Sequence, residues 1–213
     1  MFSAPLVSLT KQVVTWLQEQ KNTLFKLISS IRDCNLNPKT SAKLFDHLIK
    51  PILLYGAETW GPDNFLRKDA PILDTLFGKK LDCSPLEKVD MLFNKFTLGV
   101  SKRSCNLAVR AELGRFPIVI DLILSILKYY SHIKKASTQS PLIGPALYES
   151  KSIDERNVPS WFTFVKNISV SLNIYLDSIR DLKKIKLSLR NKFISFWKSK
   201  MTKIKEDGGK LDL

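Results

Sequence analysis

Residues 116–133 read FPIVIDLILSILKYYSHI. Ile118, Val119, Ile120, Leu122, Ile123, Leu124, Ile126, Leu127, Tyr129, Tyr130 and Ile133 leave the segment almost no polar side. Pro117 suits a first helical position, where a missing N–H costs nothing. A helix that is apolar nearly all round is either covered by other elements or spans a bilayer. Asp121 and Ser125 interrupt this run, which falls well short of the ~20 residues a spanning helix needs. The stretch therefore predicts a central helix buried by its neighbours. With only eight Gly in 213 residues, too few for a turn-rich β architecture, it also predicts an all-α fold.

Working outward, the same periodicity returns. From about Leu9 to Ile31, the residues Val13, Leu17, Leu24, Leu27, Ile28 and Ile31 recur at spacings of three, four or seven. Asn37-Pro38 is a helix start, with Asn as the N-cap acceptor and Pro at the first helical position. That helix carries Phe45, Leu48, Ile49, Ile52, Leu53 and Gly56 on one side; bent by Pro51, it is expected to end near Trp60. Gly61 to Ser84 reads as irregular, with one short helix around Pro71 to Phe77. Ser84 and Glu87 have capping-box spacing around Pro85, and Leu86, Val89, Leu92, Phe93 and Phe96 follow as a buried stripe closed by Gly99. A basic turn, Ser101 to Ser104, leads into a short helix from Cys105 to Leu113 that ends at Gly114. Trp161 to Leu172 and about Ser178 to Lys205 are two further helices. Between them and the central helix, residues 138–159 carry Pro141, Gly144, Pro145 and Pro159. They read as a linker joining a larger helical domain, 1–137, to a basic C-terminal helical region, 160–213.

Charge narrows the function. Lys and Arg number 34 against 20 Asp and Glu, a net charge of +14. Ten of those Lys and Arg fall in residues 180–205 beside one acid, Asp181, so nine of the fourteen net charges lie there. An excess of this kind suits a polyanion, nucleic acid ahead of a membrane surface. Cys34, Cys83 and Cys105 are odd in number and widely spaced, and only His47 and His132 could join them. They form neither a disulfide framework nor a metal site, which fits a reducing intracellular compartment, nucleus or cytoplasm. Met1 to Thr10 lacks the basic start of a secretory signal.

Catalytic constellations are missing. There is no Gly-rich phosphate loop, no Gly-x-Ser-x-Gly elbow and no adjacent Asp pair of the kind that holds two metal ions. The reading is a non-enzyme without metal or cofactor. Glu58 and Glu112 read as caps or ion-pair partners, for example of Arg115, and His47 as a surface histidine. Trp60, Trp161 and Trp197 read as core before base-stacking platforms. Backbone binding is the positive signal: Lys102, Arg103, Arg110 and Arg115 bracket a helix start that favours phosphate. Lys184, Arg190 and Lys198 stand on the basic C-terminal helix, where they would track a phosphate chain without reading sequence.

Two stretches then carry a family likeness. Leu44 to Pro62 (LFDHLIKPILLYGAETWGP) and Leu98 to Pro117 (LGVSKRSCNLAVRAELGRFP), with the pair Phe93 and Lys95 ahead of the second, resemble the region after the palm in reverse transcriptases of non-LTR, LINE-like retrotransposons of the jockey and chicken-repeat type. The resemblance spans roughly residues 20 to 200. It implies a helical thumb-like bundle with a basic C-terminal extension, which holds a template and product duplex beside the palm. The paired-Asp polymerase motif, fingers, palm, endonuclease and zinc knuckle have no counterpart here, and Ala111 stands where the family usually has Gly. The expectation is therefore a post-palm fragment that binds RNA or an RNA–DNA duplex without catalysis, with a palm-containing polypeptide as a further partner and no membrane partner. The alternative is a degenerate or co-opted helical protein-interaction module.

Overall fold

Asn37 does what its type and position require: its Oδ1 accepts the Thr40 N–H at 2.8 Å, and Pro38 follows at the first helical position. The computed structural model describes residues 25, 26, 28–30, 34, 36–65, 77, 81–176, 179 and 181–206. Helix α1 (Pro38–Leu44) passes through one π-helical turn (Phe45–Ile49) into α2 (Lys50–Leu53). In a regular helix the ring of Pro51 would collide with the carbonyl four residues back. The widened turn, in which the Lys50 N–H reaches back to the Phe45 carbonyl, makes room for it. It also resets the faces. Phe45, Ile49, Leu53 and Ala57 are buried at steps of four, whereas Leu48 and Ile52 of the expected stripe are exposed.

The helix ends at Leu53 rather than near Trp60, because Gly56 adopts φ +63° and breaks the run. Helix α3 (Ala57–Phe65) starts afresh and continues through Gly61 and Pro62, where the sequence suggests a loop. Both residues are used. Pro62 has no N–H for the Glu58 carbonyl, and the Trp161 indole Nε1–H takes that carbonyl at 2.8 Å. A Cβ on Gly61 would come within 2.6 Å of Leu122 Cδ1, so glycine permits the close approach of α3 to the central helix.

After a 3₁₀ turn (Leu81–Cys83) come α4 (Pro85–Thr97) and α5 (Asn106–Leu113), the latter closed by Gly114 at φ 62°, ψ 28°. The expected capping box is not formed: the Ser84 hydroxyl makes no cap bond, and Glu87 turns into the interior. Helix α6 (Val119–Ala136) is the predicted central element, with Val119, Ile120, Leu122, Ile123, Ile126, Leu127 and Tyr130 buried. It packs against α3, α7 (Ile143–Glu155), α8 (Trp161–Leu172) and α9 (Leu182–Glu206).

All elements among the described residues are helical, so the fold is all-α. One correction concerns the linker, since α7 fills most of it. Pro145 is the third residue of that helix, in the first turn, whose N–H groups have no intrahelical partner in any case. Another concerns the division at 138–159. Leu147, Phe164, Val165, Ile168, Leu189 and Phe193 belong to the same apolar core as Phe45, Phe93 and Ile123, so the two parts share one interior. Of the helix expected at Leu9 to Ile31, residues 25, 26 and 28–30 are helical and Ile28 joins the core; the rest lies outside the described residues. The short helix expected around Pro71 to Phe77 also lies outside them, apart from helical Phe77.

Candidate nucleic-acid interface

Helix α9 begins at Asp181, whose carboxylate accepts the Lys183 and Lys184 backbone N–H groups, both at 3.1 Å. The Lys184 backbone bond, helped by the Lys184 charge against slight burial, holds the Asp181 carboxyl below its ordinary value. At about 100° per residue the helix divides into faces. Ile185, Leu189 and Phe193 enter the core, with Leu182 and Phe196 packed beside them. Lys184, Ser188, Asn191, Ser195, Lys198 and Thr202, spaced four, three, four, three and four, form an exposed polar face with no acid. Lys184, Ser188, Asn191 and Ser195 also line an open groove of about 690 Å³, in which Phe77 and Phe196 form an apolar side.

The seven residues singled out by sequence separate into two groups. Lys102 and Arg103 are exposed on the turn before α5, and their side chains have no partner among the described residues. Lys184 is 86% exposed, and among the described residues its ammonium pairs with Asp181 alone, at 3.7 Å; Lys198 is exposed with its ammonium unpaired among the same residues. Arg190, in contrast, places its guanidinium carbon over the Phe116 ring, 4.7 Å from its centroid. Arg110 and Arg115 are corrections. Arg110 is 2% exposed and cannot meet a phosphate. Arg115 spans from the Ala42 carbonyl to Asp46 at 2.9 Å and Asp90 at 3.2 Å, and its guanidinium sits over the Phe45 ring. Two further basic residues of α9 are likewise engaged, Lys186 with Asp121 at 2.8 Å and Lys192 with the Ser171 carbonyl at 3.0 Å.

What sequence reasoning missed is the network that consumes those arginines. Glu87, Asp90 and Asn94, at i, i+3 and i+7 along α4, are fully buried beside the apolar stripe. Glu87 accepts from Arg110 at 2.8 Å and from the Val119 N–H at 2.9 Å, which ties α4 to the first residue of α6. Arg110 also donates to Asp82 at 3.0 Å, and Asn94 donates to Asp90 at 2.9 Å. Burial pushes the Glu87 carboxyl up to about 7 against the pull of Arg110, with the Asp90 charge adding to the rise. Burial raises Asp90 as well, against Arg115 and Arg110. The Arg110 guanidinium is penalised by burial, but the carboxylates of Glu87, Asp82 and Asp90 outweigh that and hold it charged. The pairs expected of Glu112 and Arg115 do not form; the partners of Arg115 are Asp46 and Asp90.

A second cluster joins α2, α6 and α9: Lys50 and Lys186 converge on Asp121. Burial raises this carboxyl, and the hydrogen bonds and charges of the two lysines more than reverse it, so Asp121 titrates below its ordinary value. Trp60 donates its indole N–H to the Tyr55 carbonyl in the turn before α3, and Trp161 donates to the Glu58 carbonyl, which joins α8 to α3. Among the described residues no group of His, Cys, Asp and Glu could hold a metal ion, and no helix is long and apolar enough to cross a membrane. Set against protein-family models, curated proteins and solved structures, the chain matches none.

Proposed function

We propose that the chain binds the sugar-phosphate backbone of RNA or of an RNA–DNA duplex without reading its sequence, as a thumb-like, non-catalytic element. The observation that carries this is the exposed face of α9: Lys184, Ser188, Asn191, Ser195, Lys198 and Thr202 in one line that starts one turn after Asp181. From Lys184 to Thr202 the line rises about 27 Å, the length of about eight nucleotides of one B-form strand. Lys184 and Lys198, with the hydroxyl and amide groups of the line, supply charge and hydrogen-bond donors to phosphate oxygens. Lys183 of α9 and the Lys102–Arg103 turn add exposed cationic groups. Anisotropy titrations of a single-stranded RNA at rising salt test the reading. About four phosphate contacts give a slope of log K against log salt near −3 at about −0.7 per contact, and Lys184→Ala with Lys198→Ala brings it to about −1.5. Binding that is absent, or unchanged by salt, overturns it.

The second reading, a helical interaction module, is favoured by apolar side chains left in solvent. Leu187, Ile194 and Met201 recur every seventh residue along α9, and Leu48, Ile52 and Tyr55 are exposed on the π-turn, on α2 and on the turn after it. Single exposed apolar residues are ordinary, but lines of them mark contact surfaces. Self-association of the chain in sedimentation, without affinity for nucleic acid, would favour this reading over the first.

A further inference from the structure

The side of α9 that faces away from the core carries a second pattern. Lys184, Leu187, Asn191, Ile194, Lys198 and Met201 follow one another at steps of three, four, three, four and three. That average of about 3.5 residues is the repeat at which two helices keep a common seam while they coil about each other. Apolar and polar members alternate along it. Leu187, Ile194 and Met201 stand one heptad apart, and so do Lys184, Asn191 and Lys198. All six are exposed, Leu187 by 59%, Ile194 by 36% and Met201 by 39%. Ile185, Leu189 and Phe193 on the other side of the helix already fill the core, so the seam is the surface α9 presents outward.

Charge along the seam selects what can cover it. A second copy of α9 is opposed in both orientations. Parallel pairing sets each lysine against its own counterpart, and antiparallel pairing about Asn191 sets Lys184 against Lys198. Like charges at seam positions act against self-pairing. No acid occurs from residue 182 to 205 to relieve them, and Asp181, 3.7 Å from the Lys184 ammonium, precedes the seam. A lipid surface fits poorly, because the apolar line subtends only about 40° where a surface helix buries an arc of ~100° or more. A phosphate chain answers the lysines but leaves the apolar line in water. An amphipathic helix with apolar residues opposite Leu187, Ile194 and Met201 and carboxylates opposite Lys184 and Lys198 satisfies both sets at once. We infer that the exposed seam of α9 is a docking surface for an acidic amphipathic helix of another polypeptide. The inference rests on the interaction-module reading, to which it gives a partner.

Anisotropy titrations of the full chain test it with a fluorescein-labelled helical peptide, four repeats of Leu-Ala-Gln-Ala-Glu-Ala-Gln, which sets Leu and Glu at the two seam positions. One control peptide has Lys in place of Glu, and another keeps Glu but has Ser in place of Leu. The Leu/Glu peptide is expected to bind about tenfold or more tightly than either control. Ile194→Ser removes the central apolar contact at an exposed position and should weaken that peptide about tenfold. A parallel Tm measurement checks that the variant is folded. The partner is overturned if the Leu/Glu peptide does not bind, if the Ser control binds equally well, or if phosphatidylglycerol vesicles bind more tightly than the peptide and lose affinity with Ile194→Ser. Self-association in sedimentation without peptide binding would keep the interaction module and remove this partner, and absence of both would remove both.

Discussion

Glu87 stands three residues after Ser84 and behaves as an interior acid instead of a cap. Its folded-state value of about 7 lies above the ordinary 4.5 of a free glutamate. Between those values the folded chain holds a proton that the unfolded chain releases. The stabilisation is complete below about 4.5 and is lost as pH rises through about 7. The raised Asp90 acts in the same sense, while the lowered Asp121 acts oppositely, at pH below its ordinary 3.8. The difference in Tm between the wild type and Glu87→Gln should therefore shift against the wild type from pH 5 to pH 8. A few kcal/mol corresponds to roughly 5–10 °C for a chain of this length. A difference flat across that range would show that Glu87 stays ionised throughout. Neither spacing nor composition announces such a residue. Glu87 and Asp90 flank a legible apolar stripe, but their burial depends on Arg110 and Arg115, which arrive from another helix.

At the scale of elements, the proline and glycine signals mark real events, and tertiary contacts decide their outcome. Pro51 and Pro62 both sit inside helices, one relieved by a π-turn and the other by an indole from α8. Trp161→Phe should cost about 1–3 kcal/mol in urea unfolding, because the Glu58 carbonyl loses its donor inside the structure. In a Pro62→Ala background, residue 62 regains an N–H for that carbonyl, and the same Trp161→Phe change should cost clearly less. Equal costs in the two backgrounds would disprove the coupling between Pro62 and Trp161. The start at Asn37, the ends at Gly99 and Gly114 and the span Trp161–Leu172 were legible because caps and periodicity are local. The helix at Ile143–Glu155 was not, since Pro145 carries the same local signal in a loop as in a first helical turn.

For the whole molecule, a single core joins both sides of the expected linker. The full chain should unfold in one cooperative transition by circular dichroism. Residues 1–137 alone should show none, because α6 would lose the cover that α7, α8 and α9 give it. Two separate transitions in the full chain would restore the two-domain division. The helical class, the central element at 116–133 and the concentration of charge after residue 180 are legible without coordinates, since all are properties of neighbours along the chain. Which cations of the chain stay available follows from folding. Arg110, Arg115 and Lys186 are neutralised by Asp82, Glu87, Asp46, Asp90 and Asp121, while Lys102, Arg103 and Lys198 are left to solvent. A cation's availability depends on carboxylates far away in sequence, and folding alone brings those within hydrogen-bonding distance.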